Sequence, residues 1–338
     1  MTAQSADLQK KSRGPWATAL FRLSHDRAAL VALAVFLTVV ICCLLAPLYA
    51  AWAGVDPFKS TVDATITLGG VTRPVMELPT DGLALGYTPI GPTWVPGTYF
   101  LGADNQGRDV MARLLYGGMN SFIIAAAATV MTLTFATIFG TVAGFFGGII
   151  DMVLSRILDV LWAFPVYLLA ISLSIVLITQ GITIGPIVID SGSLFLPVFI
   201  IGVIYIPYVA RPIRGQVMAL RHGEFVLAAI GLGVPTHRIL TKDVLPNIST
   251  TLIVFVPIMM ALNMLTESAL SFLSIGVQPP DASWGTIIQD GQTLLYTRPA
   301  VALAPGVMIV ITVLALNVFG DGLRDALDPK SKIKLGRG

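Results

Sequence analysis

The chain has 338 residues, of which 55% are hydrophobic and only 12% are charged, whereas soluble domains carry about 25% charged residues. Its mean hydropathy is +0.82, and apolar runs of membrane-spanning length recur along it. This composition excludes an ordinary soluble domain and predicts a polytopic, all-α membrane protein. The formal net charge of +2 is too small to indicate a nucleic-acid partner.

Six apolar segments have the length of transmembrane helices. The first is longer than the ~7–15-residue apolar core of a signal peptide. We therefore expect a retained span, although Ala51-Trp52-Ala53 has the small residues of a cleavage site. The predicted spans are about 28–53, 118–144, 157–181, 194–214, 248–276 and 301–323.

Basic residues are unevenly distributed between alternate connecting segments. With the amino terminus inside, sixteen of the 21 lysines and arginines lie in inner segments and five in outer ones. The positive-inside rule then predicts both termini in the cytoplasm. The resulting organisation is a cytoplasmic segment 1–27, a first span 28–53, an external segment 54–117, a core domain 118–323 with an inner loop 215–247, and a cytoplasmic tail 324–338.

The external segment is long and is interrupted by prolines. Within it, two strand-forming runs at 65–68 and 71–73 flank Gly69-Gly70. This pattern predicts a small β-hairpin with a two-residue turn. Two interpretations stay open: the segment contacts an external receptor protein, or it is a structural cap over the outer end of the bundle.

Gly140, Gly144 and Gly148 recur at every fourth residue. This spacing predicts one smooth helix face that allows close helix–helix packing. Sliding of the same face during gating is the alternative interpretation.

A polar, charged segment at 224–247 lies between two apolar runs on the predicted inner side, and it offers a docking surface in water. Its small pair Ala228-Ala229 lets a helix approach a partner closely. Gly233 permits positive φ and ends a first helix, and Leu245-Pro246 is expected to end a second. An ordinary amphipathic loop between spans is the alternative.

Glu267 lies deep in the fifth span, where an ionisable group is costly and indicates a functional site. It either lines a solute path or locks helices together through bonds to Ser268, Ser271 or a neighbouring span. Asp290, in the following outer loop, faces a solute or a receptor, or else lies on a solvated face. The candidates for a solute pathway or gate are Glu267, Ser271 and Asp290.

Catalytic and cofactor motifs are absent from the sequence. It contains no GxxxxGK[ST] phosphate loop, no HExxH motif and no nucleophile elbow. Cys42 and Cys43 are adjacent within an apolar run and fit neither a disulfide framework nor a metal-binding spacing. We therefore expect no enzyme activity, metal or cofactor in this chain.

The polar segment resembles the cytoplasmic EAA loop of permease subunits of ATP-binding-cassette importers. Ala228-Ala229, Gly233 and Leu245-Pro246 occupy the positions of that motif. Two residues depart from it: Leu227 replaces the leading glutamate, for which the nearest acid is Glu224, and Asp243 stands where the family often has a histidine or an apolar residue.

Further stretches resemble the second permease subunit of the dipeptide/oligopeptide (peptide/nickel) branch. They are LGADNQGRDVMARLLYGG (101–118), GFFGGIIDMVLSRILDVLWAFP (144–165), ARPIRGQVMALRHGEFVLAA (210–229), ESALSFLSIGVQPPDASWG (267–285) and NVFGDGLRDALDP (317–329). The resemblance implies a type I importer permease fold of six transmembrane helices in a prokaryotic cell membrane, with the hairpin as an external addition. It assigns ATPase coupling to Glu224, Leu227, Ala228, Ala229, Gly233, Asp243, Leu245 and Pro246.

The resemblance also implies partners. They are a homologous second permease that completes a heterodimer, two ATPases that bind ATP and Mg, an external solute-binding protein, and membrane lipid. Independently of the resemblance, the basic tail 330–337 either contacts anionic lipid or is solvated. Di- or oligopeptides are the implied solutes, and nickel complexes, glutathione and opines are alternatives. Two rivals from other classes are an ion-coupled secondary transporter that uses Glu267, and a non-transporting scaffold or receptor.

Overall fold

The structure is a computed structural model that describes residues 15–77, 86–97, 99–180, 182–184, 187–190 and 192–328. The basic tail 330–337 therefore lies outside the described residues. The α-helices are α1 (Pro15–Leu23), α2 (Arg27–Leu44), α3 (Ala46–Ala53), α4 (Val110–Phe146), α5 (Gly148–Ala163), α6 (Val166–Gln180), α7 (Phe195–Ile204), α8 (Ile206–Arg221), α9 (Glu224–Gly231), α10 (Thr236–Ile239), α11 (Leu245–Phe272), α12 (Trp284–Gly291) and α13 (Ala300–Leu327). The strands are β1 (Thr65–Leu68), β2 (Val71–Pro74), β3 (Met76–Glu77), β4 (Thr88–Pro89), β5 (Ile182–Ile184) and β6 (Ile187–Ile189).

The helices supply up to six membrane spans in the described part of the chain. Four are long and apolar enough to cross alone: α2, α4, the continuous helix that ends as α11, and α13. The pairs α5–α6 and α7–α8 are bent by 89° and 42°, and each gives one further span if the pair crosses once. The predicted span 157–181 is thus not one helix, because a sharp bend divides it into α5 and α6. The helix ends at Ala163 because Pro165 pushes Phe164 into an extended conformation, with φ −90° and ψ 140°.

Helix α4 begins eight residues earlier than the expected span, so part of the predicted external segment is helical. The Asp109 carboxylate caps this helix by accepting from the Ala112 N–H at 2.7 Å. The carboxyl-terminal end of α4 also differs from the prediction. Gly147 and Gly148 have φ of 68° and 57° and separate α4 from α5. Gly148 therefore does not share a helix face with Gly140, which corrects the predicted three-glycine stripe.

The other two glycines of that stripe lie where α4 packs along α8. A Cβ atom at Gly140 would be 2.8 Å from the Ala210 carbonyl oxygen, and one at Gly144 would be 2.6 Å from the Arg214 carbonyl oxygen. These distances are too short for any side chain, so both glycines permit direct contact between the two backbones.

The helix that follows the inner loop is continuous, and this corrects the predicted stop at Leu245-Pro246. A π-helical turn at Leu240–Val244 joins α10 to α11, and Pro246 lies in the first turn of α11. Proline is tolerated there because it has no backbone N–H, and a residue in the first turn of a helical segment needs no such donor. The Asn247 side chain donates to the Asp243 carbonyl at 2.6 Å and so satisfies a carbonyl near this irregular turn.

The predicted hairpin is confirmed. Strands β1 and β2 pair antiparallel with Leu68 opposite Val71, and Gly69 and Gly70 have φ of 56° and 82°. Two positive φ values match the turn that suits the twist of a hairpin. The surrounding outer segment has a small core of its own, formed by Ile66, Val75, Ile90, Tyr99 and Ala103.

Arg298 fastens this outer segment to the helical bundle. Its Nε donates to the Pro89 carbonyl at 2.5 Å, and its terminal nitrogen lies 3.2 Å from Glu77 Oε2. Both partners belong to the segment, whereas Arg298 lies two residues before the start of α13. This favours the interpretation of the segment as a fixed structural cap.

We expect Arg298→Gln to loosen this cap without unfolding the bundle. A half-exposed ion pair contributes about 1 kcal/mol or less, and the lost bond to a carbonyl adds about 1 kcal/mol. Limited proteolysis from the outside should then cleave the segment about five- to tenfold faster, because cleavage follows local opening. Arg73→Gln is the matched control on exposed β2. Equal cleavage rates for both variants would show that Arg298 does not fix the segment.

Candidate functional site

The inner loop presents an apolar surface on helix α9. Val226 is fully buried against the bundle, while the opposite side of the helix is open. Large apolar side chains are normally buried or paired in a water-facing segment, so such a patch indicates a protein-binding surface. We call this patch the coupling surface, formed by Phe225, Leu227, Ala228, Ile230 and Leu232. Leu232 is 83% exposed and is its outermost member.

Gly233 ends this helix in the manner of a Schellman motif. Its φ is 71°, its N–H donates to the Ile230 carbonyl at 2.9 Å, and the next N–H, of Val234, donates to the Ala229 carbonyl at 3.0 Å. This pair of bonds defines the motif and requires a left-handed residue at the glycine. The turn therefore fixes the direction in which the coupling surface faces.

The remaining predicted coupling residues lie at the edges of this surface. Glu224 is exposed in the first turn of α9. Asp243 is half-buried, and Leu245 and Pro246 are exposed on the helix after the Gly233 turn. Ala229 is half-buried and packs on the main core. Leu227 is exposed and apolar, and it occupies the position at which the related motif carries a glutamate.

Glu267 lies in a buried polar junction between three helices. Its carboxyl accepts from Ser121 of α4 at 2.8 Å and from Ser271 of α11 at 2.7 Å. The Ser121 oxygen in turn accepts from the Trp284 N–H, which opens α12, at 3.2 Å. Ser271 accepts from the Val277 N–H at 3.0 Å. The junction thus connects α4, α11 and the outer loop.

This geometry favours the helix-lock interpretation of Glu267 and Ser271 over a solute path. Both residues have 0% exposure, so neither side chain lies on a surface open to a solute. The signal was ambiguous in the sequence, because an acid inside a span indicates either a path or a helix lock. The nearby serines support the lock, since their hydroxyls satisfy the buried carboxyl.

Asp290 belongs to a network of charges at the outer end of the bundle. Its Oδ2 accepts from Arg108 and from Arg113, both at 3.0 Å. Asp104, 1% exposed, completes the network by pairing with Arg108 at 2.7 Å and Arg113 at 3.3 Å. The positive charges of two arginines thus balance the negative charges of two aspartates. In the sequence both arginines counted only as outer basic residues, so this network was missed.

Three members of this network, Arg108, Arg113 and Asp290, form one wall of an outer cavity of about 550 Å³. Its other walls come from the loop between α11 and α12, including Gln278 and Pro279-Pro280, from α12, and from Phe58 and Gln106 of the outer segment. Burial raises the pKa of Asp290, and Arg113 and Arg108 act in the opposite direction. Asp290 is 25% exposed, so it is the one predicted pathway residue that reaches an open space.

The chain matches two protein families. Residues 136–333 match the family described as "Binding-protein-dependent transport system inner membrane component". Residues 14–63 match the "N-terminal TM domain of oligopeptide transport permease C". The first match includes the coupling surface, and the second includes helices α1 to α3.

Curated relatives extend over almost the whole chain. The oligopeptide transport system permease protein OppC of Haemophilus influenzae is 31% identical over 326 residues, 96% of this chain and 92% of that protein. The dipeptide transport system permease protein DppC of Alkalihalophilus pseudofirmus is 32% identical over 94% of this chain and 91% of that protein. The glutathione transport system permease protein GsiD of Pectobacterium atrosepticum is 34% identical over 69% of this chain and 73% of that protein.

A solved structure of the MetNI methionine ABC transporter, in an inward-facing conformation, matches with a TM-score of 0.51 and 18% identity. The match covers 64% of this chain and 97% of that one, and it concerns the fold alone. The architecture is therefore that of a type I importer permease. The chain belongs to the family of binding-protein-dependent transport system inner membrane components, and the resemblance to its peptide-permease branch is confirmed.

Proposed function

We propose that this chain is one permease subunit of an ATP-driven importer of di- and oligopeptides and forms half of the translocation pathway with a homologous second permease. The observation that carries the proposal is the coupling surface, an open apolar patch on the side expected to face the cytoplasm. The relationship to oligopeptide and dipeptide permeases over more than nine-tenths of the chain supports the class of solute.

In this proposal, one of two ATPase subunits docks on the coupling surface and the other docks on the second permease, and the two ATPases bind the ATP and Mg that the transport cycle requires. An external binding protein delivers the solute to the outer face. Both termini lie in the cytoplasm of a prokaryotic cell, and lipid surrounds the apolar spans. Contact between the hairpin and the binding protein, and a solute-facing role for Asp290, stay predictions of this scheme.

The related glutathione permease favours glutathione as a second candidate solute. Glutathione is itself a small peptide-like acid, so the same pathway chemistry would accept it. Nickel complexes and opines stay alternatives that no contact in the described residues favours.

Uptake into membrane vesicles tests the proposed function when ATP and the proton gradient are varied separately. The complete complex should take up a labelled tripeptide only when ATP and the binding protein are present. A secondary transporter would instead follow the gradient and need no ATP. Gradient-driven uptake without ATP would overturn the importer proposal.

We expect Leu227→Asp to weaken ATPase co-purification far more than Glu224→Ala does. Leu227 is 53% exposed within the apolar patch, and a docked partner would bury it. Burying an unpaired carboxylate costs several kcal/mol, whereas removing a charge at the edge of a patch costs about 0–1 kcal/mol. A pull-down of the ATPases from solubilised membranes measures the difference. If Glu224→Ala is the more damaging variant, a charge and not an apolar contact holds the ATPase.

A further inference from the structure

Helix α5 buries little apolar surface against the rest of this chain. Among its described residues only Leu158 is buried. Ile149, Met152 and Val160 are 75%, 57% and 62% exposed. A helix with so little buried apolar surface has weak attachment from packing alone. Its position relative to the bundle must therefore depend on the polar contacts that it makes with α8.

The tightest of these contacts joins Asp151 of α5 to Arg214 of α8. The Arg214 Nε and terminal nitrogen lie 2.5 Å and 2.6 Å from the two carboxylate oxygens. Ser155, one turn along α5, donates to the same carboxylate at 3.1 Å. The Arg214 and Asp151 side chains are only 31% and 18% exposed. A two-pronged arginine–carboxylate pair fixes both distance and direction, which a single contact does not.

A second row of contacts continues along the same two helices. Arg211 donates to Asp159 at 2.9 Å, and its guanidinium lies 5.7 Å from the centre of the Trp162 ring. The Trp162 and Tyr208 rings are 6.1 Å apart. Arg211 and Asp159 are 43% and 51% exposed, so this pair alone contributes little. We call the set of six residues the α5–α8 seam: Asp151, Asp159, Trp162, Tyr208, Arg211 and Arg214.

The two helices of the seam lead to two different parts of the proposed importer. Helix α8 ends at Arg221 and continues through Gly223 directly into the coupling surface. Helix α5 continues through Pro165 into α6, with which it makes the 89° bend. At its other end, α5 is separated from α4 by two glycines in the left-handed region. Such a turn lets α5 follow α8 and not α4.

We propose that the α5–α8 seam transmits movement of the coupling surface to the bent helix pair α5–α6, with Asp151 and Arg214 as its positioning residues. This inference rests on the proposed function, because it assigns a mechanical route within an ATP-driven importer. When an ATPase moves α9, α8 moves with it, because only His222 and Gly223 separate the two helices. The ion pair between Asp151 and Arg214 then makes α5 move with α8, although few apolar contacts connect these two helices.

The test uses the complete importer in proteoliposomes, with ATP hydrolysis and tripeptide uptake measured together. Asp151→Asn and Arg214→Gln should each lower the number of peptides taken up per ATP about five- to tenfold, the size expected of a broken coupling contact. ATPase co-purification should be unchanged, since the coupling surface is intact. Asp151→Glu keeps the charge and should recover part of the loss.

The matched control is Arg156→Gln, which removes a positive charge from α5 itself. Arg156 is 80% exposed, and its terminal nitrogen lies 4.0 Å from Asp159, which is a long and weak ion pair. Uptake per ATP should therefore stay within twofold of the parent. Combining Asp151→Arg with Arg214→Asp reverses the pair and should restore uptake per ATP at least twofold over either single variant.

Each failure has a distinct signature. If the parent chain binds no ATPase, the proposed function fails and the seam fails with it. If the parent chain is ATP-driven but Asp151→Asn and Arg214→Gln keep the parent ratio, only the seam inference is overturned. The seam inference is also overturned if the variants lose assembled complex while the complex that remains keeps that ratio, because the pair would then only support folding.

Discussion

Gly233→Val is expected to abolish solute-stimulated ATP hydrolysis while leaving the amount of protein in the membrane close to normal. The expected loss results from the backbone conformation of Gly233 and not from a steric clash with neighbouring atoms. Gly233 has φ of 71°, and nothing lies within 4 Å of the place where a Cβ atom would be. A β-branched residue in this conformation costs about 1–3 kcal/mol. The turn would relax to negative φ and rotate the coupling surface away from its partner.

The measurement is ATP hydrolysis by the reconstituted complex with and without the loaded binding protein. Gly54→Val provides a control matched for strain, because Gly54 has φ of 65°, has equally free surroundings and ends α3 in the outer part of the chain. It should suffer the same local cost and keep its stimulation. Gly233→Ala should lie between the two. Normal stimulation in Gly233→Val would remove the loop from its assigned role.

The number of spans was predictable because each one is a long apolar run, and hydropathy alone detects such runs. The shapes of those spans were not. Pro165 lies inside a run that stays apolar, so a pattern based on hydropathy continues through it, whereas the turn at Gly147-Gly148 follows the predicted end of its span at residue 144. The same neglect of backbone conformation produced the stripe through Gly148 and the stop at Pro246.

The coupling surface was predictable because it is local in sequence: small residues, a turn glycine and exposed apolar residues follow one another in α9. The outer charge network was not, because Asp290 lies 182 residues from Arg108 and 177 from Arg113. Only the tertiary fold brings them together. The seam was missed for the same reason, since Arg214 and Asp151 are 63 residues apart.

The buried junction at Glu267 gives the second large effect. Glu267→Leu should reduce the folded protein recovered from membranes severalfold and lower its thermal midpoint. Leucine has a similar size but accepts no hydrogen bond. The hydroxyls of Ser121, Ser268 and Ser271 would each lose their acceptor in the carboxyl. An unsatisfied buried hydroxyl costs about 1–3 kcal/mol, and part of that returns when a helical serine bonds to its own preceding turn. A net loss of roughly 2–4 kcal/mol follows.

Glu267→Gln is the informative partner of that variant. Its amide oxygen still accepts, and its NH₂ group can donate to a seryl oxygen once that hydroxyl turns. Folded amount and ATP-driven uptake should therefore both stay within about twofold of the parent. If Glu267 instead contacts a positively charged solute, Glu267→Gln would assemble normally, keep its basal ATP hydrolysis and lose uptake. That result would return Glu267 to the solute path, whereas paired loss in Glu267→Leu and survival in Glu267→Gln identifies a carboxyl that locks α4, α11 and α12 together.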